Sequence, residues 1–177
     1  MNLVVHEARW GCIHPTTQRS LTHSQVNPDG HCLFTAVADQ LRILGVLQGS
    51  LATYTTTRAA ASRFILDHKD DFLPFLPSDE GDDAETSDDT GLMTQAQFEK
   101  YCVRLRDTAV WGGEPEILAL SRAFNVPIHV IQHGVPPIVV HDPNEGSGTK
   151  ITDDKRIVRI SYHRRMYGLG EVCTYSM

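Results

Sequence analysis

The stretch NPDGHCLFTAVADQL, residues 27–41, is the most informative part of the sequence because it joins a tight turn to a long amphipathic pattern. Pro28, Asp29 and Gly30 are residue types that form turns. After them, apolar residues recur at the three- and four-residue spacing of a helix face, which predicts a helix over residues 31–47. The apolar positions are Leu33, Phe34, Val37, Ala38, Leu41 and Leu44.

Cys32 stands at the start of this predicted helix, directly after the turn. A thiol attacks as its thiolate, and the free N–H groups and dipole of a helix N-terminus favour negative charge. We therefore expect the Cys32 thiol to have a lowered pKa. The backbone N–H groups from Asp29 to Cys32 would form an oxyanion hole, with Gly30 letting a substrate carbonyl come close. The alternative is a buried cysteine held at a helix start by packing alone.

Length and composition are those of a single globular domain, with 177 residues of which 41% are hydrophobic and 21% charged. A net charge of −6 argues against a general nucleic-acid binder, since phosphate binding requires a basic face. No run of about 18 apolar residues is present, so no membrane span is expected. The N-terminus lacks the basic leader and apolar run of a signal peptide, and we expect a cytoplasmic protein.

The four cysteines are scattered along the chain without a CxxC pair, which indicates neither a zinc site nor a disulfide framework. Reduced thiols in the cytosol are the expectation. His129 and His133 fall on one side of a predicted strand, but no third ligand accompanies them, and we predict no metal. The cysteines are Cys12, Cys32, Cys102 and Cys173.

The rest of the chain shows helical patterns first and strand patterns last. Helices are predicted over residues 55–68, after a capping box formed by Thr94 and Gln97, and from Pro115 onward. This order favours an α+β domain in which helices flank a small, mainly antiparallel sheet. The segments typical of strands are residues 126–132, 136–142 and 156–163.

Residues 78–91, SDEGDDAETSDDTG, form an acidic stretch with seven carboxylate side chains and no aromatic residue. Such a composition cannot bury enough apolar surface to hold a fixed structure, so it predicts a solvated, mobile loop. The alternative is an acidic docking surface for a basic partner.

Three blocks of the sequence, in order, resemble the ovarian-tumour (OTU) domain cysteine proteases, which remove ubiquitin. The blocks are PDGHCLFTAVADQL (28–41), WGGEPEILALSRAFNVPIHVIQ (111–132) and RISYHRRMYGLGE (159–171). The last block is similar to the OTU subgroup whose C-terminal loop reads Tyr-His-Arg-x-x-Tyr-Gly-Leu-Gly-Glu. The resemblance implies a papain-like α+β fold and hydrolysis of ubiquitin isopeptide bonds by a cysteine protease without a metal or organic cofactor.

By this resemblance Cys32 matches the nucleophile and Asp29 the aspartate of the cysteine loop. Gly30 and His31 fall in that loop and would act through their backbone. The partner implied is ubiquitin or a polyubiquitin chain, bound by a monomer. A second set of residues would support the site and shape the path of the ubiquitin tail, although Trp111 could equally be a packed core aromatic. That set is Trp111, Gly112, Gly113 and Glu114.

The resemblance breaks at the general base. In the family a histidine follows the Gly-Leu-Gly-Glu segment, whereas Val172 follows Glu171 here. One explanation is an inactive member that still binds ubiquitin. The other, which we favour, is that residues 172–177 are an aberrant tail read from a retained intron, because Val-Cys can be encoded by GTATGT. The expected organisation is therefore a poorly defined lead-in over residues 1–24, a catalytic domain over residues 25–171, and this tail.

Other histidines are weak substitutes for the base. His163 falls in the Tyr-His-Arg part of the family loop, where the family histidine is not catalytic. His31 is adjacent to the nucleophile in the chain and is expected to point elsewhere. A further alternative is a cysteine hydrolase that uses the same fold on another class of substrate.

Overall fold

The computed structural model describes residues 22–27, 29–76, 93–132, 135–144, 156–163 and 171–176. The helices are α1 (Cys32–Ile43), α2 (Tyr54–Asp67), α3 (Lys69–Phe72), α4 (Gln95–Asp107) and α5 (Glu114–Phe124), with a 3₁₀ turn at Leu73–Phe75. The strands are β1 (Thr22–Gln25), β2 (Ile128–Gln132), β3 (Ile138–His141), β4 (Val158–His163) and β5 (Glu171–Ser176). The predicted helices and the three predicted strands are thus confirmed, with ends that shift by a few residues.

The five described strands form one mixed sheet in the order β1-β5-β4-β2-β3. Strands β2 and β4 are parallel, and the other three pairings are antiparallel, as the prediction of a mainly antiparallel sheet requires. Two strands were not predicted. Strand β5 contains residues 172–176, which were expected to form a tail, and β1 contains residues 22–24 of the expected lead-in, so the sheet extends past both predicted domain limits.

Local sequence signals explain where the helices begin and end. The Thr94 hydroxyl accepts a hydrogen bond from the Gln97 N–H at 3.3 Å, and the Gln97 side chain accepts one from the Thr94 N–H at 2.7 Å, which confirms the capping box. Pro115 lies in the first turn of α5, and Asn125 ends it in a left-handed conformation with φ 52°. Gly45, with φ 69°, follows the end of α1.

Helix α1 lies at the centre of the core. It packs on β4 and β5 on one side and on α2 on the other, and α2 packs in turn on α4 and α5. The predicted apolar face of α1 is buried, including Phe34, Val37 and Leu41. Cys102 is buried in α4. This packing holds α1, the helix that begins with Cys32, between α2 and the sheet.

Helical spacing places Ala61, Phe64, Ile65 and His68 on or near one face of α2, but the face that the structure buries is different. Ala61 and Ile65 are buried as expected, but His68 is exposed. The residues that complete the buried face are polar ones, Thr57, Arg58 and Ser62. Helix α2 therefore brings a charged side chain into the interior of the domain.

Two further expectations concern the acidic stretch and the presence of a membrane-spanning helix. The acidic stretch, residues 78–91, lies outside the described residues. Among the helices that the structure describes, none has both the length and the apolar character needed to cross a membrane.

Candidate active site

The loop that precedes α1, residues 29–32, is held by hydrogen bonds centred on Asp29. We call it the nucleophile loop. The Asp29 side chain accepts a hydrogen bond from the His31 N–H at 2.8 Å, and the Asp29 carbonyl accepts one from the Cys32 N–H at 3.1 Å. The Asp29 N–H donates to the Asn27 carbonyl at 2.9 Å. A short carboxylate side chain that bonds the backbone two residues on is a common way to fix a turn.

Because of these hydrogen bonds, the oxyanion hole differs from the predicted one. The N–H groups of Asp29, His31 and Cys32 all donate within the chain, so they are not free to bind a substrate oxygen. Of the described residues, none accepts a hydrogen bond from the Gly30 N–H. In this state of the loop, Gly30 supplies the one backbone donor of the predicted set that a substrate carbonyl could use.

The environment of the Cys32 sulfur also differs from the prediction. Cys32 is 1% exposed, and burial raises the pKa of its thiol. The Leu33 N–H at the helix start lowers this pKa, as expected, while the nearby Asp29 carboxylate raises it. The prediction of an acidic thiol was therefore wrong, because the cost of burying a thiolate exceeds the stabilisation by the helix N-terminus.

Arg58 is the side chain of the site that the sequence analysis missed. It is 1% exposed, and its Nε donates to the His31 Nδ1 at 3.0 Å. Its Nη1 donates to the Leu105 carbonyl at 2.8 Å, and its Nη2 donates to the carbonyls of Gly30 and of Val110, the latter at 2.7 Å. A sequence signal existed, since Arg58 lies three and seven residues before the buried Ala61 and Ile65, on the same helix face.

The α4–α5 connection, residues 108–113, packs directly on the nucleophile loop and α1. A Cβ placed on Gly30 would lie 1.6 Å from the Ala109 carbonyl oxygen. A Cβ placed on Gly112 would lie 2.7 Å from the Leu33 Cδ2 and 3.0 Å from the Phe34 ring. Gly30 therefore lets two backbone segments approach more closely than any side chain would allow, and Gly112 leaves room for the Leu33 and Phe34 side chains.

Glu116 holds the other end of this connection and was also missed. It is 3% exposed, and its carboxylate accepts hydrogen bonds from the Tyr101 hydroxyl and from the Gly113 N–H, the latter at 2.5 Å. Burial raises the pKa of Glu116, opposed by the Gly113 N–H and the charge of Arg58. A glutamate three residues after the N-cap is the acidic half of a capping box, which could have identified it.

Of the four residues predicted to shape the path of the ubiquitin tail, Gly112 lies against the first turn of α1, next to the nucleophile loop. Trp111 is 48% exposed, so it is not a packed core aromatic, the alternative considered for it. Gly113 caps α5, and Glu114 is exposed in its first turn, where its charge suits the helix dipole. The substrate contacts of these residues remain predictions.

The His31 side chain, which is among those that the structure describes, is not placed to act as the base. The His31 ring lies 4.2 Å from the Tyr54 ring, and its Nδ1 accepts the hydrogen bond from Arg58, so it is engaged away from α1. His133, of the predicted pair, lies outside the described residues. Val172 lies in β5, the strand that packs on α1, and its backbone is in register with Tyr162 of β4. Within the described ranges, no cluster of three His, Cys, Asp or Glu side chains could hold a metal ion.

Sequence comparison identifies relatives across most of the chain. A family model described as OTU-like cysteine protease matches residues 27–171. Deubiquitinase OTUD6B of Homo sapiens is 35% identical over 154 residues, which are 86% of this chain and 45% of that protein. OTU domain-containing protein 2 of Saccharomyces cerevisiae is 30% identical over 156 residues, 86% of this chain and 44% of that protein. The chain thus spans less than half the length of these relatives.

Solved structures show the same fold. The OTU domain of OTUD1 superimposes with a TM-score of 0.57 at 21% identity, covering 86% of this chain and 85% of that one. An OTU deubiquitinase from Wolbachia pipientis bound to ubiquitin superimposes with a TM-score of 0.57 at 18% identity, covering 88% of this chain and 95% of that one. These similarities confirm the expected papain-like α+β architecture.

Proposed function

Because the chain belongs to the OTU-like cysteine protease family, we propose that it is the catalytic domain of a cysteine-dependent deubiquitinase. The observation that carries the proposal is the position of Cys32. It is the first residue of α1, follows a loop ordered by Asp29, and lies inside the region matched by the family. The expected substrate is an isopeptide bond between the C-terminal glycine of ubiquitin and a lysine.

In the proposed reaction the Cys32 sulfur attacks the carbonyl carbon of that glycine. The bond between this carbon and the lysine nitrogen then breaks, and the nitrogen takes the proton that the Cys32 thiol gave up, so the lysine leaves as a neutral amine. Water hydrolyses the resulting thioester, which frees ubiquitin and restores the thiol. The Gly30 N–H is available to stabilise the oxyanion.

The proposal requires a change at Cys32 when substrate arrives. In the described state the sulfur is covered and its pKa is raised by burial, so the thiolate is disfavoured. The Cys32 N–H is bonded to the Asp29 carbonyl and would join the oxyanion hole if the loop released it. We propose that entry of the ubiquitin tail beside the α4–α5 connection both uncovers the sulfur and reorders these amides.

We also propose that turnover by this sequence is limited by the missing base. The family histidine corresponds to Val172, whose side chain has no atom that can take or return a proton. Strand β5, which contains Val172, packs on the helix that begins with Cys32. The full sequence should therefore bind ubiquitin and hydrolyse its isopeptide bonds slowly or not at all.

A Val172→His variant tests the proposal. We expect it to cleave di-ubiquitin and to react with a ubiquitin vinyl-ester probe about 100-fold faster than the unaltered chain, the scale of general-base catalysis. Val172→Ala controls for the loss of the valine, and Val172→His combined with Cys32→Ser controls for the nucleophile. A Val172→His protein that folds but neither cleaves any di-ubiquitin nor reacts with the probe would refute the deubiquitinase proposal. Rapid probe labelling of Cys32 in the unaltered chain would refute the missing-base argument.

A ubiquitin-binding protein without catalysis is the second candidate, and the buried thiol together with Val172 favours it. Titration of the unaltered chain with ubiquitin, followed by NMR or calorimetry, should show binding under either candidate. The two separate on Val172→His: a pure binding module stays inactive, whereas a catalytic domain gains turnover.

The remaining parts of the proposal rest on the sequence. We propose a monomer in the cytoplasm that acts on ubiquitin or polyubiquitin without a nucleic acid or membrane partner. The net charge of −6 supports the absence of a nucleic-acid partner, and the scattered cysteines support a reducing compartment. Analytical ultracentrifugation and cell fractionation would test these parts directly.

A further inference from the structure

Arg58 is a charged side chain buried among the helices, and its burial demands an explanation. A guanidinium stays protonated in proteins, and moving it out of water is costly unless its N–H groups find acceptors. Four of its five N–H directions are accounted for by the ring nitrogen of His31 and three backbone carbonyls. The guanidinium carbon also lies 4.1 Å from the centre of the Phe34 ring, on α1.

The acceptors belong to three segments that are distant in sequence. His31 and Gly30 lie in the nucleophile loop, 27 and 28 residues before Arg58. Leu105 lies near the end of α4 and Val110 in the α4–α5 connection, 47 and 52 residues after it. One side chain of α2 therefore joins the loop that carries Cys32 to the segment that leads to Trp111.

The nucleophile loop and the α4–α5 connection also pack closely where Arg58 links them. Gly30, whose carbonyl bonds Arg58, packs against Ala109, the residue before Val110. The neighbouring Thr57 hydroxyl donates to the Phe34 carbonyl at 2.9 Å, which fixes the first turns of α1 to α2 as well. The separation of the loop from the connection is thus set by Arg58 and by the absence of a Cβ at Gly30.

We propose that Arg58 is a positioning residue for the reaction, which sets the nucleophile loop in register with the α4–α5 connection so that Cys32 meets the substrate carbonyl. This inference rests on the proposed function. Arg58 acts through Gly30 and His31. Arg58 bonds the Gly30 carbonyl, and this fixes the peptide plane between Gly30 and His31, whose N–H is bonded to the Asp29 side chain.

The requirement is for the shape of arginine as well as its charge. A lysine at this position would keep the charge, but its single ammonium group on a flexible stem cannot serve acceptors in three segments from one planar fork. Arg58→Lys should therefore loosen the nucleophile loop. Arg63→Lys, on the exposed face of the same helix with a 3.6 Å pair to Asp67, is the matched control.

The test combines two reactions of the full chain. The first is alkylation by iodoacetamide, followed at each cysteine-containing peptide by mass spectrometry, which compares Cys32 with Cys102 in one sample. Cys102 is buried at the α2–α4 contact, where its carbonyl accepts from the Ser62 hydroxyl at 2.7 Å, so it reports general loosening. The second is labelling by the ubiquitin vinyl-ester probe in the Val172→His background.

For Arg58→Lys we expect Cys32 alkylation to rise about tenfold, from the lost buried hydrogen bonds, while Cys102 changes less than about twofold. Ubiquitin-probe labelling should fall about tenfold, because a loosened loop exposes the thiol but no longer aligns it. Arg63→Lys should change neither. This opposite response of the two reactions is a result that general destabilisation would not produce.

The proposal is overturned if Cys32 alkylation stays within about twofold of the unaltered chain, if Cys102 rises in parallel, or if probe labelling does not fall. Should Arg58→Lys fail to fold by circular dichroism, His31→Ala decides, since it removes one acceptor of Arg58 and leaves the three carbonyls. It should raise Cys32 alkylation about threefold, and no change would refute the proposal. If the Val172→His background reacts with no ubiquitin probe, the proposed function fails, while the alkylation result still decides whether Arg58 orders the loop.

Discussion

Gly30 lies so close to Ala109 that a Cβ on the glycine would sit 1.6 Å from the Ala109 carbonyl oxygen. The contact joins the residue two positions before Cys32 to the connection that leads into α5. Because the obstacle is a backbone oxygen, a rotamer change cannot relieve the overlap. The two segments must separate if any side chain is introduced at Gly30.

Gly30→Ala should therefore destabilise the fold by at least about 2 kcal/mol, the upper part of the range for overpacking. Urea unfolding followed by circular dichroism measures the loss. Gly49→Ala is the matched control, since a Cβ there meets nothing within 4 Å, and it should stay within about 0.5 kcal/mol of the unaltered chain. Equal stabilities for the two variants would contradict the close approach described at Gly30.

Gly112→Ala tests the second close contact of the connection. Its Cβ would meet the Leu33 side chain at 2.7 Å and the Phe34 ring at 3.0 Å, both at the start of α1. We expect a loss of about 1–2 kcal/mol in urea unfolding, because these side chains can shift slightly. Gly49→Ala, whose Cβ would meet nothing within 4 Å, should cost less than about 0.5 kcal/mol and is the control here too. A Gly112→Ala protein as stable as Gly49→Ala would contradict the close contact at Gly112.

Glu116 should make stability depend on pH. Because burial raises its pKa, the folded protein holds this proton more tightly than the unfolded chain does. The stability due to Glu116 is then fully present below the unfolded-state pKa of about 4.3 and is lost as pH rises through the folded pKa. Glu116→Gln removes this titration.

In urea unfolding from about pH 4 to about pH 8, the unaltered chain should lose stability relative to Glu116→Gln as pH rises. Glu99→Gln, an exposed glutamate of α4, serves as the control for removing one carboxylate. A stability difference that is constant with pH would mean that Glu116 does not titrate differently in the folded protein. A difference that changes in the opposite sense would mean that its partners favour the charged form.

Cys32 should react as a thiol of raised pKa in the absence of ubiquitin. Burial is the main cause of the raised pKa, and the Asp29 carboxylate adds to it. The rate of iodoacetamide alkylation at Cys32 should therefore keep rising above about pH 8.5, where an unperturbed thiol is half ionised. A midpoint well below that pH would restore the prediction of an acidic thiol. Asp29→Asn should lower the midpoint, because it removes a like charge while retaining a side-chain oxygen for the His31 N–H.

Features set by nearby residues could be predicted from the sequence. The apolar face of α1, the Thr94–Gln97 capping box and the left-handed Asn125 each depend on residues within a few positions of one another. The position of Cys32 at a helix start is of the same kind. The local rules of helix formation were sufficient for all of them.

Features set by distant residues could not be predicted in this way. Arg58 finds its acceptors 27 to 52 residues away, and Tyr101 reaches Glu116 from a different helix. The pKa of Cys32 was predicted in the wrong direction because burial depends on how α1 packs on the sheet and α2. Strand β1 was missed because its sequence, Thr-His-Ser-Gln, has no apolar residue, and β5 was missed because residues 172–177 were expected to form an aberrant tail.

The position of β5 between β1 and β4 has a consequence for synthesis on the ribosome. Thr22 pairs with Ser176 in the register of β1 and β5. Strand β1 can therefore join the sheet only after β5 has been synthesised. Until then the facing edge of β4 also offers unpaired backbone groups to other chains. A nascent polypeptide that stalls before residue 171 should therefore be prone to aggregate, and chaperone occupancy should persist until β5 emerges from the exit tunnel.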